Sequence, residues 1–426
     1  MTARLMAGDC VELMASLPEQ SVDAIVTDPP YHLTQASRGG HARNNNPDSP
    51  NGRHRIGDKG FMGKVWDGGD FAFRVETWRA AWRVLKPGGH LVAFGGTRTF
   101  HRMVIAIEDA GFEIRDMGAW LYGNGFPKSE NPCKCRPHVD SGAVDTRGWK
   151  LCGICCLPFE VGTALKPAHE PLCFARKPLI GTVLENLLAH GTGAINVEGC
   201  RVPHGEQVEG RWCNGTRPAG FGNVGAEKGG SEPCGQFNEA GRWPGNVMHD
   251  GSDDARSVFP DAPGQQRAVG PEHGAKPSIH VFGDFGPRHS CQPRVETDSS
   301  AARFFYCAKA SQADRGEGNT HPTVKPTELM RYLVRLVTPP NGTVLDMFAG
   351  SGSTGKACVL EGFHFIGMDL DPAHIEIAQR RINSARDDGA TIHRPTARRT
   401  KMESSAAQEM LPFADSAGNV ALPFNI

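Results

Sequence analysis

Short apolar runs alternate with amphipathic stretches in the N-terminal part of the chain. The run "VDAIVT" (22–27) has the pattern of a buried strand, whereas "FAFRVETWRAAWRVL" (71–85) places bulky apolar side chains at helical spacing. After a turn at "KPGG" (86–89), the segments "HLVAFG" (90–95) and "FEIRDMGAWLYG" (112–123) are predicted strands on either side of another helix. Repeated strand–helix alternation predicts a parallel sheet with helices on both faces.

The same alternation returns over residues 321–385. Strands are predicted at "TVLDMF" (343–348) and "FHFIGMDL" (363–370), with helices before, between and after them. The intervening residues 128–300 are rich in Gly, Pro, Cys, Asn and Asp, and a strand at 169–177 is the clearest pattern among them. The chain is therefore expected to carry two α/β parts separated by an irregular insert.

Composition describes an ordinary globular chain. Its 426 residues are 39% apolar and 22% charged, and no apolar run approaches the ~20 residues of a membrane span. The start "MTARLMAGDC" lacks the apolar core of a signal peptide, so a cytoplasmic location is expected. Thirteen cysteines in a cytosolic chain indicate thiols or metal ligands rather than disulfides.

The net charge of -1 gives no global argument for nucleic-acid binding, so local charge has to carry one. Residues 32–64 hold six Arg or Lys side chains against two Asp, and residues 391–402 hold four with no acid. These segments either contact phosphates or are simply solvated, and the sequence leaves both interpretations open. Residues 201–300 lack regular pattern and are predicted to be disordered or ordered by a partner.

A glycine-rich turn follows the strand at 343–348. Glycines at such a turn let the backbone approach a ligand closely, yet Asp346 at the strand end would repel a pyrophosphate and attract an ammonium. The next strand ends at Asp369, which can accept both hydroxyls of a ribose. A ligand with an ammonium and a ribose but no phosphate fits S-adenosylmethionine; the alternative is a tight strand–helix turn. The residues of the turn assigned to this cofactor site are Phe348, Gly350 and Gly352.

Four motifs together resemble the β-group (permuted) amino DNA methyltransferases, the DNA adenine-N6 and cytosine-N4 methyltransferase family, and in particular its phage-type members. The motifs are "TDPPY" (27–31), "HPTVKP" (321–326), "DMFAGSGST" (346–354) and "FIGMDLD" (365–371). They occur in the permuted order, with the catalytic half first and the cofactor turn last. The combination is specific, whereas any one motif alone is weak.

The resemblance implies a Rossmann-like α/β fold for S-adenosylmethionine, with a mixed seven-stranded, circularly permuted sheet and an irregular inserted target-recognition region. It implies that Asp9 lies near the cofactor adenine and that Thr323 and Lys325 contact its methionine end. The expected parts are a catalytic half (1–130), a Cys-rich insert with target recognition (131–300), a cofactor half (301–385) and a basic, polar tail (386–426). A bacterial or phage-encoded enzyme associated with the nucleoid is expected, with double-stranded DNA as partner and a homodimer left open.

"DPPY" carries the expected chemistry. An exocyclic amino group is a poor nucleophile, but Asp28 can accept one of its N–H groups and the Pro29 carbonyl the other, which frees the nitrogen lone pair. Pro29 and Pro30 hold these acceptors rigidly, and such positioning can be worth roughly 7–11 kcal/mol. Tyr31 can stack on a base flipped from the duplex. Alone, the motif could be an ordinary turn.

The aspartate of "DPPY" favours adenine N6 within the resembling family, and cytosine N4 is the alternative. A protein-amide or RNA methyltransferase is a rival from another class, but such enzymes usually carry Asn at the position of Asp28. A DNA-binding protein without activity is a further rival. Against it stand the intact residues Asp28, Tyr31, Asp346 and Asp369.

The insert contains two further groups of candidates. Cys133, Cys135, Cys152 and Cys155 form a C-x-C and a C-x-x-C pair that could hold a structural zinc tetrahedrally, with Cys156 and His138 in reserve, or could be free thiols. Cationic and aromatic residues are candidate DNA contacts, or else solvated groups. These are Lys166, His169, Arg176, Lys177, Trp212, Arg217, Phe221, Arg242 and Trp243.

Overall fold

The computed structural model describes the following residues: 1–31, 70–123, 125, 133–135, 139–159, 161–162, 165–203, 241–262, 298–309, 314–316, 318–319, 321 and 323–387. They belong to one compact unit, Met1–Ile392. Both basic segments, the tail beyond residue 387, and His138, Trp212, Arg217 and Phe221 lie outside the described residues. What was expected of them stays a prediction.

Eleven strands and eight α-helices are present in the described part of the chain. The strands are β1 Ala3–Ala7, β2 Val22–Thr27, β3 Leu85–Phe94, β4 Glu113–Leu121, β5 Asp140–Val144, β6 Lys150–Cys152, β7 His169–Arg176, β8 Val247–His249, β9 Tyr306–Cys307, β10 Thr343–Asp346 and β11 His364–Asp369. The helices are α1 Cys10–Ala15, α2 Val75–Val84, α3 Phe100–Asp109, α4 Val183–His190, α5 Asp253–Arg256, α6 Thr327–Val337, α7 Ser353–Glu361 and α8 Pro372–Asp387.

Nine of these strands form one sheet in the order β1-β11-β10-β2-β3-β7-β4-β8-β9. Only β7 runs antiparallel to its neighbours within this sheet, which confirms the predicted mixed, permuted, Rossmann-like α/β fold. The permutation is visible where β10 pairs with β2, with Val344 opposite Ala24 and Leu345 opposite Ile25.

The seven predicted strands are contiguous in the sheet, and β8 and β9 extend it beyond β4 to nine. Both added strands are at most three residues long, too short to produce a periodic pattern in the sequence. The expectation of a region without regular structure at 201–300 is therefore corrected for the residues around β8 and α5.

Two local predictions also need correction. The helix expected from residue 71 begins at Val75, because Phe71–Phe73 form a separate 3-10 turn. The "KPGG" segment lies within β3 and is not a free turn. Gly88 has a φ of 73°, and the pairing of β2 with β3 shifts register between Val22 and Ala24, so the chain bulges without leaving the sheet.

Apolar side chains fill both faces of the sheet. One cluster packs Val26, Phe94 and Phe365 against α6, α7 and α8, and the other packs Ile25, Leu91 and Leu345 against α1, α2 and α3. Neighbouring residues of β2 point to opposite faces, as a strand requires. Among the described helices, none is long and apolar enough to cross a membrane.

Candidate active site

The strand ends of β2 and β10 lie side by side and bring the two distant motifs together. Thr27, the last residue of β2, donates a hydrogen bond from Oγ1 to Oδ1 of Asp346 over 2.7 Å. Asp28 to Tyr31 follow directly, with Pro29 buried and Asp28 and Tyr31 partly exposed. The carboxyl ends of parallel strands are where α/β sheets place ligands, so the predicted catalytic and cofactor motifs share one edge.

The two carboxylate oxygens of Asp28 have different surroundings. Oδ2 lies 2.7 Å from the ammonium of Lys325, which precedes α6. Oδ1 is buried and accepts no hydrogen bond from the residues that the structure describes. It is one of seven buried side-chain N or O atoms without a hydrogen-bond partner among the described residues, and a buried acceptor without a donor is costly.

Lys325 is shared between two acids. Its Nζ also lies 3.1 Å from Oε2 of Glu170 at the start of β7, and it donates to the hydroxyl of Tyr31 over 3.1 Å. Burial disfavours the ammonium, but the charges of Asp28 and Glu170 outweigh burial and raise the pKa of Lys325. Burial and the same two carboxylates raise the pKa of Tyr31 well above its usual value. The group of Asp28, Glu170 and Lys325 thus carries one net negative charge.

Sequence reasoning placed Lys325 at the methionine end of a cofactor and did not select Glu170. The structure places the Lys325 ammonium on the carboxylate of Asp28, and its contact with the methionine end stays a prediction. Glu170 had no motif to mark it, because it lies in an apolar strand pattern on the far side of the insert. Its proximity follows from β7 running antiparallel next to β3, which brings Leu172 opposite Phe94.

Asp346 lies under the glycine turn rather than in open solvent. Oδ1 accepts hydrogen bonds from Thr27 Oγ1 and from the backbone N–H of Phe348 at 3.1 Å, and Oδ2 accepts from Thr354 Oγ1 at 2.6 Å. Burial raises the pKa of the Asp346 carboxyl to about 6, although these hydrogen bonds act in the opposite direction. This side chain therefore joins β2, the turn and α7.

The turn itself depends on two left-handed glycines. Gly350 has a φ of 49°, and a Cβ there would lie 3.1 Å from Nε2 of His321. Gly352 has a φ of 78°, and a Cβ there would lie 2.7 Å from the Cβ of Ala378 on α8. Glycine is required at both positions for conformation and for space. The resulting turn is buried at the start of α7, against His321 and α8.

Asp369 at the end of β11 is held against this turn. Its Oδ2 accepts the N–H of Gly350 at 2.9 Å, and its Oδ1 accepts the N–H of Asp371 at 2.9 Å and lies 3.1 Å from Nδ1 of His374. Burial would raise the pKa of Asp369, but the bonds from His374, Asp371 and Gly350 outweigh it and lower the pKa.

Asp9 and Thr323 lie at the margins of the same edge. Asp9 caps α1, accepting the N–H of Val11 at 2.8 Å, and the neighbouring Gly8 donates to the carbonyl of Asp369 at 2.9 Å. Nδ1 of His321 lies 2.6 Å from the carbonyl of Thr323, which fixes the loop before α6. His321 is the first residue of "HPTVKP" but was not among the predicted site residues.

Two candidate DNA contacts have structural roles instead. Arg176 donates to Glu113 Oε2 at 2.6 Å and is buried, and Nζ of Lys177 donates at 2.8 Å to the carbonyls of Trp82 and Leu85. Lys166 lies 3.5 Å from Asp254 on the surface. The sequence could not separate buried from solvated cations around β7, because both flank the same apolar pattern.

The remaining candidates of the insert are more exposed. His169, at the first position of β7, is exposed. The Arg242 guanidinium lies 5.0 Å from the ring centroid of Phe304, and Trp243 is 66% exposed.

The four predicted metal ligands come together. One sulfur each from Cys133, Cys135, Cys152 and Cys155 lies within 4.8 Å of the others. Cys133 and Cys152 are buried, and Cys135 and Cys155 are partly exposed. Cys156, the predicted reserve, is exposed and outside the group.

Comparison with known proteins assigns the family. A sequence model of N6/N4 methyltransferases, described as DNA methylase, matches residues 22–380, most of the chain. The chain belongs to this DNA methylase family. It is 26% identical to the type II methyltransferase M.HindIII of Haemophilus influenzae over 311 residues, which cover 72% of this chain and 68% of that protein.

Two further relatives are more limited in what they match. The DNA adenine methyltransferase YhdJ of Escherichia coli is 36% identical over 69 residues, which cover 16% of the methylase and 24% of YhdJ. Among solved structures, the cytosine-N4-specific PvuII DNA methyltransferase superposes with a TM-score of 0.40 at 13% identity, covering 91% of each chain. The family match over residues 22–380 is what makes this methylase a DNA methyltransferase of the N6/N4 family.

Proposed function

We propose that this methylase transfers a methyl group from S-adenosylmethionine to the exocyclic N6 amino group of adenine in duplex DNA. The observation that carries the proposal is Oδ1 of Asp28, a buried acceptor with no donor among the described residues, at the strand end beside the glycine turn. An amino group placed there supplies the missing donor.

The residues around Asp28 prepare the amino nitrogen for attack. Oδ1 of Asp28 accepts one N–H, the carbonyl of Pro29 accepts the other, and the lone pair is released from the ring. As the N–C bond forms and the S–C bond breaks, the nitrogen becomes positive, and the net negative charge of Asp28, Glu170 and Lys325 stabilises it. The nitrogen then gives up one proton, and Oδ1 of Asp28, which already accepts one of its N–H groups, can take it. Pro30 holds the turn, and Tyr31 supports the flipped base.

The cofactor fits the opposite side of this edge. S-adenosylmethionine supplies an electrophilic methyl group on a sulfonium. The glycine turn at Gly350 and Gly352 forms the cradle, and Asp346, which the N–H of Phe348 holds in place, offers a carboxylate to the ammonium. Asp369 lies where a ribose binds in such folds, with Asp9 beside it for the adenine and Thr323 toward the methionine end.

The proposed parts of the chain follow from this site. Residues 1–130 supply the acceptors, residues 301–385 supply the cofactor turn, and residues 131–300 hold the Cys-rich insert and the reading of the DNA sequence, followed by the tail 386–426. The aspartate at position 28 and the name of the relative YhdJ both favour adenine. Cytosine N4 is the second candidate, because the same acceptors suit its amino group.

One assay separates these substrates. Duplex DNA free of methylation is incubated with the protein and cofactor carrying a labelled methyl group, digested to nucleosides and analysed by mass spectrometry. Labelled N6-methyladenine is expected, and labelled N4-methylcytosine would overturn the adenine assignment. Label found only in RNA or protein, offered in parallel, would overturn the DNA assignment. The Asp28→Ala variant is the control: it loses transfer but still binds S-adenosylhomocysteine in calorimetry.

A further inference from the structure

The described residues around the hairpin of β5 and β6 form no apolar interior. Most of their larger apolar side chains are exposed, with Ile154 62% and Val144 60% exposed, and Leu151 and Phe159 are partly exposed. Neither hydrophobic core cluster contains a described residue between 133 and 159. A two-stranded hairpin on its own is marginally stable in water, so another interaction has to hold this one.

The buried side chains of this segment are cysteines. Among residues 133–135 and 139–159, Cys133 and Cys152 are buried and every other residue is partly or fully exposed. Small domains without an adequate core are commonly held by disulfides or by a metal. The buried part of the described segment therefore consists of cysteine side chains.

The four sulfurs have the spacing of a single-metal site. They all lie within 4.8 Å of one another, and the sulfurs of Cys133 and Cys155 are 3.4 Å apart. A tetrahedral zinc with bonds of about 2.3 Å places its sulfurs about 3.8 Å apart, between these two distances. A cluster of several irons would hold the thiolates further apart, by the width of the cluster itself.

The backbone between the ligands adopts a conformation suited to binding. Cys156 has a φ of 58°, uncommon for a residue other than glycine, and its N–H donates to the carbonyl of Cys152 at 2.8 Å. This turn brings the sulfurs of Cys152 and Cys155 to one side. Gly153 donates to the carbonyl of Val139 at 2.7 Å, which ties the turn to the chain preceding β5.

We propose that Cys133, Cys135, Cys152 and Cys155 bind one zinc ion as thiolates and that this ion holds residues 133–159 together. The site is closed, with four protein ligands, as in structural zinc sites. This proposal does not depend on which substrate the enzyme methylates, because its test measures metal content and not methyl transfer.

The position of the segment gives the site its context. The chain leaves the sheet at Leu121, the end of β4, and returns at His169, the start of β7, and these two residues are paired. Glu170 follows at once and lies 3.1 Å from Lys325. The proposed zinc therefore orders an insert that begins and ends at the active-site edge of the sheet.

Metal analysis of adjacent cysteines tests the site. Protein purified without chelators is analysed by inductively coupled plasma mass spectrometry as wild type, Cys155→Ser and Cys156→Ser. One zinc per chain is expected in the wild type and in Cys156→Ser, and a background amount in Cys155→Ser. The two substituted cysteines are adjacent in the chain, and each variant loses one thiol. Any difference in zinc content therefore reflects the role of Cys155 as a ligand.

A second measurement needs no variant that might misfold. A mercurial titrated into wild-type protein should release zinc to a colorimetric chelator, and hydrogen exchange should then accelerate over 139–159 but not over 343–346. The proposal is overturned by protein that takes up no zinc even after anaerobic reconstitution, by iron in place of zinc, or by disulfides among the four cysteines. Equal zinc in both serine variants would also overturn it.

Discussion

The ammonium of Lys325 lies 2.7 Å from Oδ2 of Asp28, so the two oxygens of that carboxylate are not equivalent. One is engaged by a buried cation, and the other is buried without a donor in the described structure. The lysine thereby fixes which oxygen faces a substrate. A side chain at position 28 that has only one acceptor oxygen must use it on the lysine.

Asp28→Asn is predicted to lose methyl transfer, although asparagine has nearly the same shape. Lys325 has no acceptor, so it will bind the amide oxygen and turn the amide NH₂ toward the substrate amino group, where two donors repel. A loss of about 100-fold or more in kcat is expected in steady-state assays. In the double variant Asp28→Asn/Lys325→Met the lysine is absent, so the amide can rotate and turn its oxygen toward the substrate amino group.

The double variant is predicted to recover about tenfold over Asp28→Asn in kcat, equivalent to about 1.4 kcal/mol. Lys325→Met alone is the control, and it should be less active than wild type because it leaves two carboxylates without their shared cation. Full activity in Asp28→Asn would contradict the assigned orientation.

Glu170→Gln is predicted to lower kcat about tenfold while leaving the KM for S-adenosylmethionine unchanged. Removing this charge leaves Lys325 to Asp28 alone and makes the site neutral, so the positive charge developing on the nitrogen is stabilised less. Steady-state kinetics with the cofactor varied separates the two constants. Glu108→Gln, on the exposed side of α3, removes an equal charge far from the motif and should be indistinguishable from wild type. A change in KM alone would place Glu170 in binding instead.

The sequence predicted the sheet and the motifs because both depend on local patterns. Each central strand is a short apolar run, and "DPPY" and the glycine turn are contiguous in sequence. The adjacency of Thr27 and Asp346 also followed, since both end parallel strands that the permuted order makes neighbours. What failed were features without a periodic signal, such as the three-residue β8 and the bulge at Gly88.

The partners of Lys325 could not be predicted for a different reason. Glu170, Tyr31 and Lys325 come from separate segments, and their contacts depend on the register of β7 beside β3. Likewise, Arg176 and Lys177 look like surface cations in a sequence and are buried by packing. Pairing between distant side chains is decided by tertiary packing, which composition and spacing do not encode.

Cofactor binding is predicted to depend on pH through Asp346. The pKa of its carboxyl is raised to about 6 by burial, so the carboxylate dominates above pH 6 and is available to an ammonium. Below pH 6 the carboxyl is protonated, and the affinity for S-adenosylhomocysteine should fall by up to about tenfold per pH unit. Isothermal titration calorimetry between pH 5 and pH 8 measures this.

Two variants test whether Asp346 is the group responsible for the pH dependence of binding. Asp346→Asn should bind more weakly at pH 8 and show a flat profile, since the titrating group is gone. Asp371→Asn, an exposed acid that caps α8 nearby, should keep the wild-type profile, because asparagine caps a helix as well as aspartate. A flat wild-type profile would mean that the Asp346 carboxylate does not meet the ligand ammonium.

Gly352→Ala is predicted to destabilise the cofactor turn more than a matched glycine variant. Both Gly352 and Gly362 have left-handed φ, at 78° and 88°, so alanine costs about 1 kcal/mol or more of backbone energy at either. At Gly352 the new Cβ also meets Ala378 at 2.7 Å, whereas at Gly362 the nearest atom is the sulfur of Met1 at 3.9 Å. The free energy of unfolding of Gly352→Ala, from denaturant titration, should therefore lie a further 1–3 kcal/mol below that of Gly362→Ala, the usual range for overpacking. Equal losses of unfolding free energy in the two variants would show that α8 moves to accommodate the new methyl group. Close packing of the turn on α8 would then not be the reason for a glycine at position 352.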